Sequence, residues 1–165
     1  MARVYLGFGA NLGDPIAALA AAAEGLENVG IRLLRRARLY STAPVGPQDQ
    51  PRFTNTVLEV ETALEPHELL RALKAIEAEQ GRVTTVRWGP RVLDLDILLY
   101  EERQMATPEL IIPHRELPHR GFVLVPLAEL APELVIPGVG QTVRALLAAL
   151  PRGSEDVVPL PDAEA

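Results

Sequence analysis

Two aspartates separated by one leucine, Asp94 and Asp96, form the pattern with the clearest chemical meaning in this sequence. On a β-strand, residues i and i+2 share a face, so both carboxylates would project together while Leu93, Leu95 and Ile97 line the other face. The Cα atoms of two such residues lie about 7 Å apart, so their carboxylates can bind one Mg²⁺ or bridge two. Ligand sets made only of oxygen favour Mg²⁺ over zinc. The plainer interpretation of Asp-x-Asp alone is a solvated strand face.

Three arginines come directly before these aspartates. Between Gln80 and Leu93 the chain holds Arg82, Arg87 and Arg91 and no acidic residue. Phosphoryl transfer uses this combination, because metal ions neutralise phosphate oxygens while arginines hold charge that spreads in a loose transition state. A solvated loop would explain the arginines by themselves. Arginines and carboxylates in one place predict a polyphosphate site.

Two loops carry further residues suited to ligands. Trp88, the only tryptophan, is followed by Gly-Pro; it could cover a planar ligand as a lid residue or plug part of the core. His114 shares a short loop with Arg115 and Arg120, so its imidazole could donate to a phosphate oxygen.

Thr42, Phe53 and Asn55 flank a proline-rich loop. An amide beside an aromatic ring suits a flat heterocycle, which the ring stacks on and the amide hydrogen-bonds. A turn amide beside a core phenylalanine is the alternative.

The glycines of GFGANLG, at 7, 9 and 13, do not fit G-x-G-x-x-G, and no P-loop pattern occurs. These glycines predict a structural turn.

The elements that must position these residues alternate in type along the chain. The patterns predict strands over 3–9, 31–40, 53–63 and 92–100, with helices over 15–28 and 66–80. Asp14 as N-cap and proline at the first helical position mark the first helix start. This strand-helix-strand-strand-helix-strand order predicts an α+β ferredoxin-like sandwich. Extra C-terminal helices are expected over 123–130 and 142–150, completing one domain over 1–150, and 151–165 is expected to be a loosely held acidic tail.

Composition narrows the function classes. The 165 residues carry a net charge of −6, no cysteine and 48% apolar residues, which excludes disordered chains, disulfide scaffolds and thiol catalysis. The acidic balance argues against nucleic-acid or anionic-membrane partners. No apolar run reaches membrane-spanning length, so a cytoplasmic protein is expected. A non-catalytic small-ligand-binding regulatory domain and a metal-dependent nucleotidyltransferase remain alternatives.

Four stretches together resemble 6-hydroxymethyl-7,8-dihydropterin pyrophosphokinase of folate biosynthesis: RWGPRVLDLDILLY, GPQDQPRFTN, IPHRELPHRGFVLVPL and GFGANLGD. The resemblance covers roughly residues 1–140 in order. It implies transfer of the β,γ-pyrophosphoryl group of ATP to the pterin hydroxymethyl group, with release of AMP. It also implies a monomer whose partners are the two small-molecule substrates.

The resemblance implies a role for each matching residue. Two Mg²⁺ ions would be held by Asp94 and Asp96, which with Arg82 and Arg91 would form the catalytic group. Residues implied to contact the pterin are Thr42, Ala43, Val45, Phe53, Asn55, Trp88, Asp94 and Phe122. Residues implied to contact ATP are Lys74, Glu77, Arg82, Arg87, Trp88, Arg91, Ile97, Leu110, His114, Arg115 and Arg120. Arg87 and Trp88 would lie on a loop that closes over both substrates.

Overall fold

A computed structural model describes residues 1–43, 50–80, 93–151 and 156–161. Its strands are β1 (Ala2–Ala10), β2 (Arg32–Arg36), β3 (Tyr40–Thr42), β4 (Phe53–Thr62), β5 (Asp94–Tyr100), β6 (Met105–Ala106), β7 (Ile111–Ile112) and β8 (Val157–Pro159). Its helices are α1 (Pro15–Asn28), α2 (Pro66–Glu79), α3 (Gly121–Leu130) and α4 (Val143–Ala149), with a 3-10 turn at Leu117–His119. No helix in this part of the chain is long and apolar enough to cross a membrane.

The main sheet has the order β5-β1-β4-β3-β8, and β2 also pairs with β4. Every pairing in it is antiparallel. Two helices connect the strands in the order β1-α1-β2-β3-β4-α2-β5. The predicted ferredoxin-like arrangement is confirmed, with β1 and β4 at the centre of the sheet.

Both long helices begin where the sequence predicts. Oδ1 of Asp14 accepts hydrogen bonds from the N–H groups of Ile16 and Ala17, at 3.0 and 3.3 Å. This N-cap satisfies donors that have no partner within the helix. Pro66 opens α2, where the Glu68 carboxylate accepts from the N–H of Glu65 at 3.0 Å.

Apolar side chains form one core on each sheet face. The first lies under α1 and α2 and includes Leu26, Leu73 and Leu95. The second lies under α3 and α4 and includes Val57 and Leu124. The C-terminal helices therefore cover the face that a minimal two-helix sandwich leaves exposed, and the site is built at an uncovered part of that second face.

Two predicted elements differ from the structure. The strand expected over 31–40 is divided into β2 and β3, because the chain between them turns inward: Ala37 is buried and its carbonyl accepts from Oγ1 of Thr56 at 2.9 Å. The loosely held tail expected over 151–165 is wrong for Val157–Pro159, which pair with Tyr40–Thr42 as β8. Main-chain pairing holds these three residues, Val-Val-Pro, which form an apolar stretch within an otherwise polar and acidic tail.

Candidate active site

Two glycines form the floor of the site, at the centre of the sheet. In β1, Gly9 lies opposite Asn55 of β4 on one side and Asp94 of β5 on the other. Side chains in register across neighbouring strands project from the same face. Asn55 and Asp94 therefore flank a position without a side chain. A Cβ placed on Gly9 would lie 2.7 Å from Oδ1 of Asn55. The absence of a side chain at Gly9 therefore makes room for the Asn55 amide.

This floor corrects the interpretation of the glycines as turn residues. Gly7 and Gly9 both lie inside β1, and of the three glycines in the motif only Gly13, at φ 71°, follows the strand. Glycine inside a strand marks a close approach or a missing side chain. Spacing within GFGANLG does not show that Gly9 would stand between an amide and a carboxylate.

The two aspartates project from the floor's β5 side, as predicted. Leu95 and Ile97 are buried in the core under α1 and α2, whereas Asp94 is half-buried and Asp96 is exposed. Gly7 lies opposite Asp96, so both carboxylates border the glycine floor. Within the described ranges, no group of three or more His, Cys, Asp or Glu side chains could hold a metal ion. Two carboxylates suit Mg²⁺, which keeps water or phosphate oxygens in its remaining positions.

Glu77 of α2 supports β5 at the edge that faces away from β1. The residue is 1% exposed, and Oε2 accepts from the N–H of Leu95 at 2.7 Å. Oε1 lies 3.6 Å from Nζ of Lys74, which is half-exposed. The carboxylate therefore fixes the strand that carries Asp94 and Asp96. The contacts of Glu77 and Lys74 with ATP that the resemblance implies stay predictions.

At the other end of the floor, Asn55 and Thr42 form a buried polar pair. Nδ2 of Asn55 donates to Oγ1 of Thr42 at 2.6 Å, and both side chains are buried. Phe53, half-buried, pairs with Thr42 in the β3–β4 register. With Nδ2 directed to Thr42, the amide keeps its oxygen over Gly9. Ala43 follows β3 directly.

Asn11 is a buried residue at this end that the sequence analysis did not single out. Its Nδ2 donates to Oε1 of Gln50 and to the carbonyl of Pro51, both at 2.9 Å. The only feature of the sequence that could have indicated this role is an amide side chain directly after a strand. These bonds tie the segment before β4 to the end of β1.

His114 lies beside the outer edge of β5. Its N–H donates to the carbonyl of Leu98 at 2.9 Å, and its Nδ1 accepts from the N–H of Glu116 at 3.1 Å. In the neutral imidazole the proton is therefore assigned to Nε2, which can donate to a ligand. Arg115 is exposed beside it.

Arg120 and Phe122 meet at the start of α3. The Arg120 guanidinium lies 5.9 Å from the Phe122 ring centroid, and its Nε lies 3.5 Å from Oε1 of Glu116. α3 packs over the sheet face that carries Val57, the face from which Asn55 also projects. Phe122 is half-buried at its second position.

Ile97 and Leu110 are core residues by their side chains. Ile97 is 3% exposed and Leu110 is 8% exposed. The N–H of Leu95 points to the outer edge of β5, so that of Ile97 points the same way. Leu110 uses its N–H and carbonyl in a turn with Thr107. Any ATP contact by Ile97 therefore involves its backbone.

Five predicted site residues lie outside the described residues, and their roles stay predictions: Val45, Arg82, Arg87, Trp88 and Arg91.

Comparison with known proteins identifies similar sequences over nearly the whole chain. A family model described as 7,8-dihydro-6-hydroxymethylpterin-pyrophosphokinase matches residues 5–132. A Methylorubrum extorquens protein named 2-amino-4-hydroxy-6-hydroxymethyldihydropteridine pyrophosphokinase is 50% identical over 159 residues, covering 95% of this chain and 99% of that protein. A Pseudomonas aeruginosa protein of the same name is 49% identical, covering 90% of this chain and 92% of that protein.

A solved structure has the same fold. Plasmodium falciparum HPPK-DHPS, determined with pteroate, superposes with a TM-score of 0.70 at 15% identity. The match covers 89% of this chain but 42% of that one, so this chain spans less than half of the solved protein. At this identity the likeness shows the fold alone.

Proposed function

The chain belongs to the 7,8-dihydro-6-hydroxymethylpterin-pyrophosphokinase family, and on this basis we propose how its residues carry out the reaction. It transfers pyrophosphate from ATP to the hydroxymethyl group of 6-hydroxymethyl-7,8-dihydropterin in folate biosynthesis. Removal of two phosphoryl groups from ATP leaves AMP as the second product. The roles of individual residues below are proposals.

The pterin binds at the end of the floor that Asn55 and Thr42 form. The Asn55 amide, oriented by its 2.6 Å bond to Thr42, hydrogen-bonds the polar edge of the heterocycle. Phe53 and Phe122 stack against its faces, and the backbone at Ala43, together with Val45, completes the contact. Gly9 supports this assignment, because its missing side chain leaves room for the Asn55 amide that contacts the ring.

Asp94 and Asp96 hold two Mg²⁺ ions at the other end. Bound there, the ions would neutralise charge on the phosphate oxygens of ATP. The carboxylates fit this role because they project from one face of β5 at adjacent same-face positions. Glu77 keeps that strand in place through the N–H of Leu95.

The transfer needs no covalent enzyme intermediate. The pterin hydroxyl oxygen forms a bond to the β-phosphorus, the bond from that phosphorus to the oxygen bridging to the α-phosphorus breaks, and AMP leaves with that oxygen. Asp94 is the carboxylate nearest to Asn55 across Gly9, so we assign it as the first acceptor of the hydroxyl proton. Positioning and charge neutralisation provide most of the rate.

Basic residues stabilise the polyphosphate. His114 can donate through Nε2, and Arg115 and Arg120 lie in the same loop. Arg82 and Arg91 are assigned to transition-state charge. The remaining assigned ATP contacts are Lys74, Glu77, Arg87, Trp88, Ile97 and Leu110.

The observation that carries these assignments is the row Asn55–Gly9–Asp94, in which an amide and a carboxylate flank a glycine in register across three strands. The test is incubation with Mg²⁺, ATP and 6-hydroxymethyl-7,8-dihydropterin, followed by identification of the nucleotide product. Pterin-dependent AMP is the expected product, and omission of Mg²⁺ should prevent it. Formation of ADP would contradict the mechanism.

We also propose that residues 1–150, with β8 added to their sheet, form one catalytic domain and that the chain acts as a cytoplasmic monomer. The absence of cysteine is compatible with a reducing compartment. Light scattering during size-exclusion chromatography tests the oligomeric state, because a dimer would double the mass.

A further inference from the structure

We propose that Arg52 and Asp156 are positioning residues for the pterin, acting through the strand that carries Thr42. The inference rests on the proposed function, because that function assigns Thr42 and Asn55 to the pterin. It gives the C-terminal segment a part in substrate binding.

The strand β3 needs support on both sides. It is three residues long, and its register pairs Thr42 with Phe53 of β4 and with Val157 of β8. A three-residue strand at a sheet edge has few main-chain bonds to fix it. β8 converts β3 into an interior strand and so fixes the backbone from which the Thr42 hydroxyl reaches Asn55.

One guanidinium joins the three segments at this point. Arg52 donates from Nη1 and Nη2 to the two carboxylate oxygens of Asp156, at 2.6 and 3.0 Å. It also donates to Ser41, the residue before Thr42 in β3, from Nε to the hydroxyl oxygen Oγ at 2.7 Å and from Nη2 to the carbonyl oxygen at 3.0 Å. The N–H of Ala43 donates to the carbonyl of Asp156 at 3.3 Å. Both backbone and side chain of Asp156 therefore hold the end of β3.

The opposite charges of Arg52 and Asp156 favour their two hydrogen bonds. The Arg52 guanidinium lowers the pKa of Asp156 by hydrogen bonding to its carboxylate, and Asp156 raises the pKa of Arg52 in the same way. Exposed ion pairs contribute little to global stability. The main effect we expect is thus local: loss of the pair lets β3 and Thr42 shift, and the Asn55 amide loses its fixed orientation.

The experiment compares full-length Asp156→Asn and Asp156→Glu with Glu133→Gln, a matched control. Glu133 pairs with Arg144 on the surface, with the two side chains 70% and 66% exposed. Measurements are KM for each substrate, kcat, and the pterin dissociation constant in the presence of a non-hydrolysable ATP analogue. Asp156→Asn should raise the pterin KM and dissociation constant about threefold to tenfold and leave the ATP KM unchanged. Asp156→Glu should restore part of the loss, and Glu133→Gln should match the wild type.

Unchanged pterin binding in Asp156→Asn would overturn the inference. An equal rise in KM for both substrates would also overturn it, because that result indicates general destabilisation. Absence of AMP formation by the wild type would instead contradict the proposed function, while the pterin dissociation constants would still decide the role of Asp156.

Discussion

Replacement of Gly9 by alanine tests the floor of the site most directly. A Cβ at this position would lie 2.7 Å from Oδ1 of Asn55, whereas ordinary contacts of a Cβ begin near 3.4 Å. The Asn55 amide must therefore withdraw by about 0.7 Å, the difference between the two distances. A movement of this size distorts the 2.6 Å hydrogen bond to Thr42.

The expected loss follows from that bond. A buried polar group left without its partner costs about 1–3 kcal/mol, and 1.4 kcal/mol corresponds to a factor of ten. The pterin KM of Gly9→Ala should therefore rise roughly 5-fold to 150-fold. The ATP KM should stay near the wild-type value, because Asp94 and Asp96 project from a different strand. Alanine adopts the extended strand conformation at a lower entropic cost than glycine does, so the Gly9→Ala variant should fold.

Gly7→Ala, at the other glycine of the floor, adds a methyl group two residues away on the same strand and face without meeting Asn55, and it therefore controls for the pterin KM. A Cβ there would meet Cδ2 of Leu98 at 3.4 Å, an ordinary contact. Initial rates of AMP formation, measured against each substrate for both variants, provide the comparison. Equal pterin KM values for Gly9→Ala and wild type would refute the proposed floor, as would a structure of Gly9→Ala with the Asn55 amide unmoved.

The remaining predictions concern the proposed metal ligands, the support of β5 and Tyr40. Asp94→Asn and Asp96→Asn should each abolish AMP formation while the midpoint of thermal unfolding stays close to that of the wild type; turnover near the normal rate in either would remove that residue from the metal site. Glu77→Ala should lower the free energy of unfolding by about 2–3 kcal/mol, because it leaves the buried N–H of Leu95 without an acceptor, whereas Glu77→Gln keeps an acceptor and should cost less than about 1 kcal/mol. Denaturant titration distinguishes the two, and equal losses would contradict the assigned hydrogen bond. Burial and the hydrogen bond to Glu129 raise the pKa of Tyr40 to about 12. Since the folded state favours the neutral phenol, stability should fall as pH rises from about 10 towards 12, and the phenolate absorbance of the folded protein should contain a component centred near pH 12 that Tyr40→Phe removes.

Local patterns in the sequence determined the elements and the strand face that Asp94 and Asp96 share. Asp14 before Pro15 marks the start of α1, because a capping carboxylate and a fixed proline φ act within a few residues of each other. Asp94 and Asp96 share a face because strand periodicity is two. These features depend on neighbours along the chain, so they are readable without the fold, and the motifs around them identified the family.

The partners of Gly9, Glu77 and Asp156 were decided only by the tertiary structure. Gly9 meets Asn55 and Asp94 through the register of three strands that lie far apart in sequence. The resemblance implies an ATP contact for Glu77, and only the packing of α2 on β5 shows that its carboxylate also accepts from the N–H of Leu95. Asp156 is 104 residues after Arg52 along the chain and directly precedes β8, the strand that pairs with β3. Periodicity and capping act locally, whereas register, helix packing and strand addition depend on contacts that form only when distant segments meet.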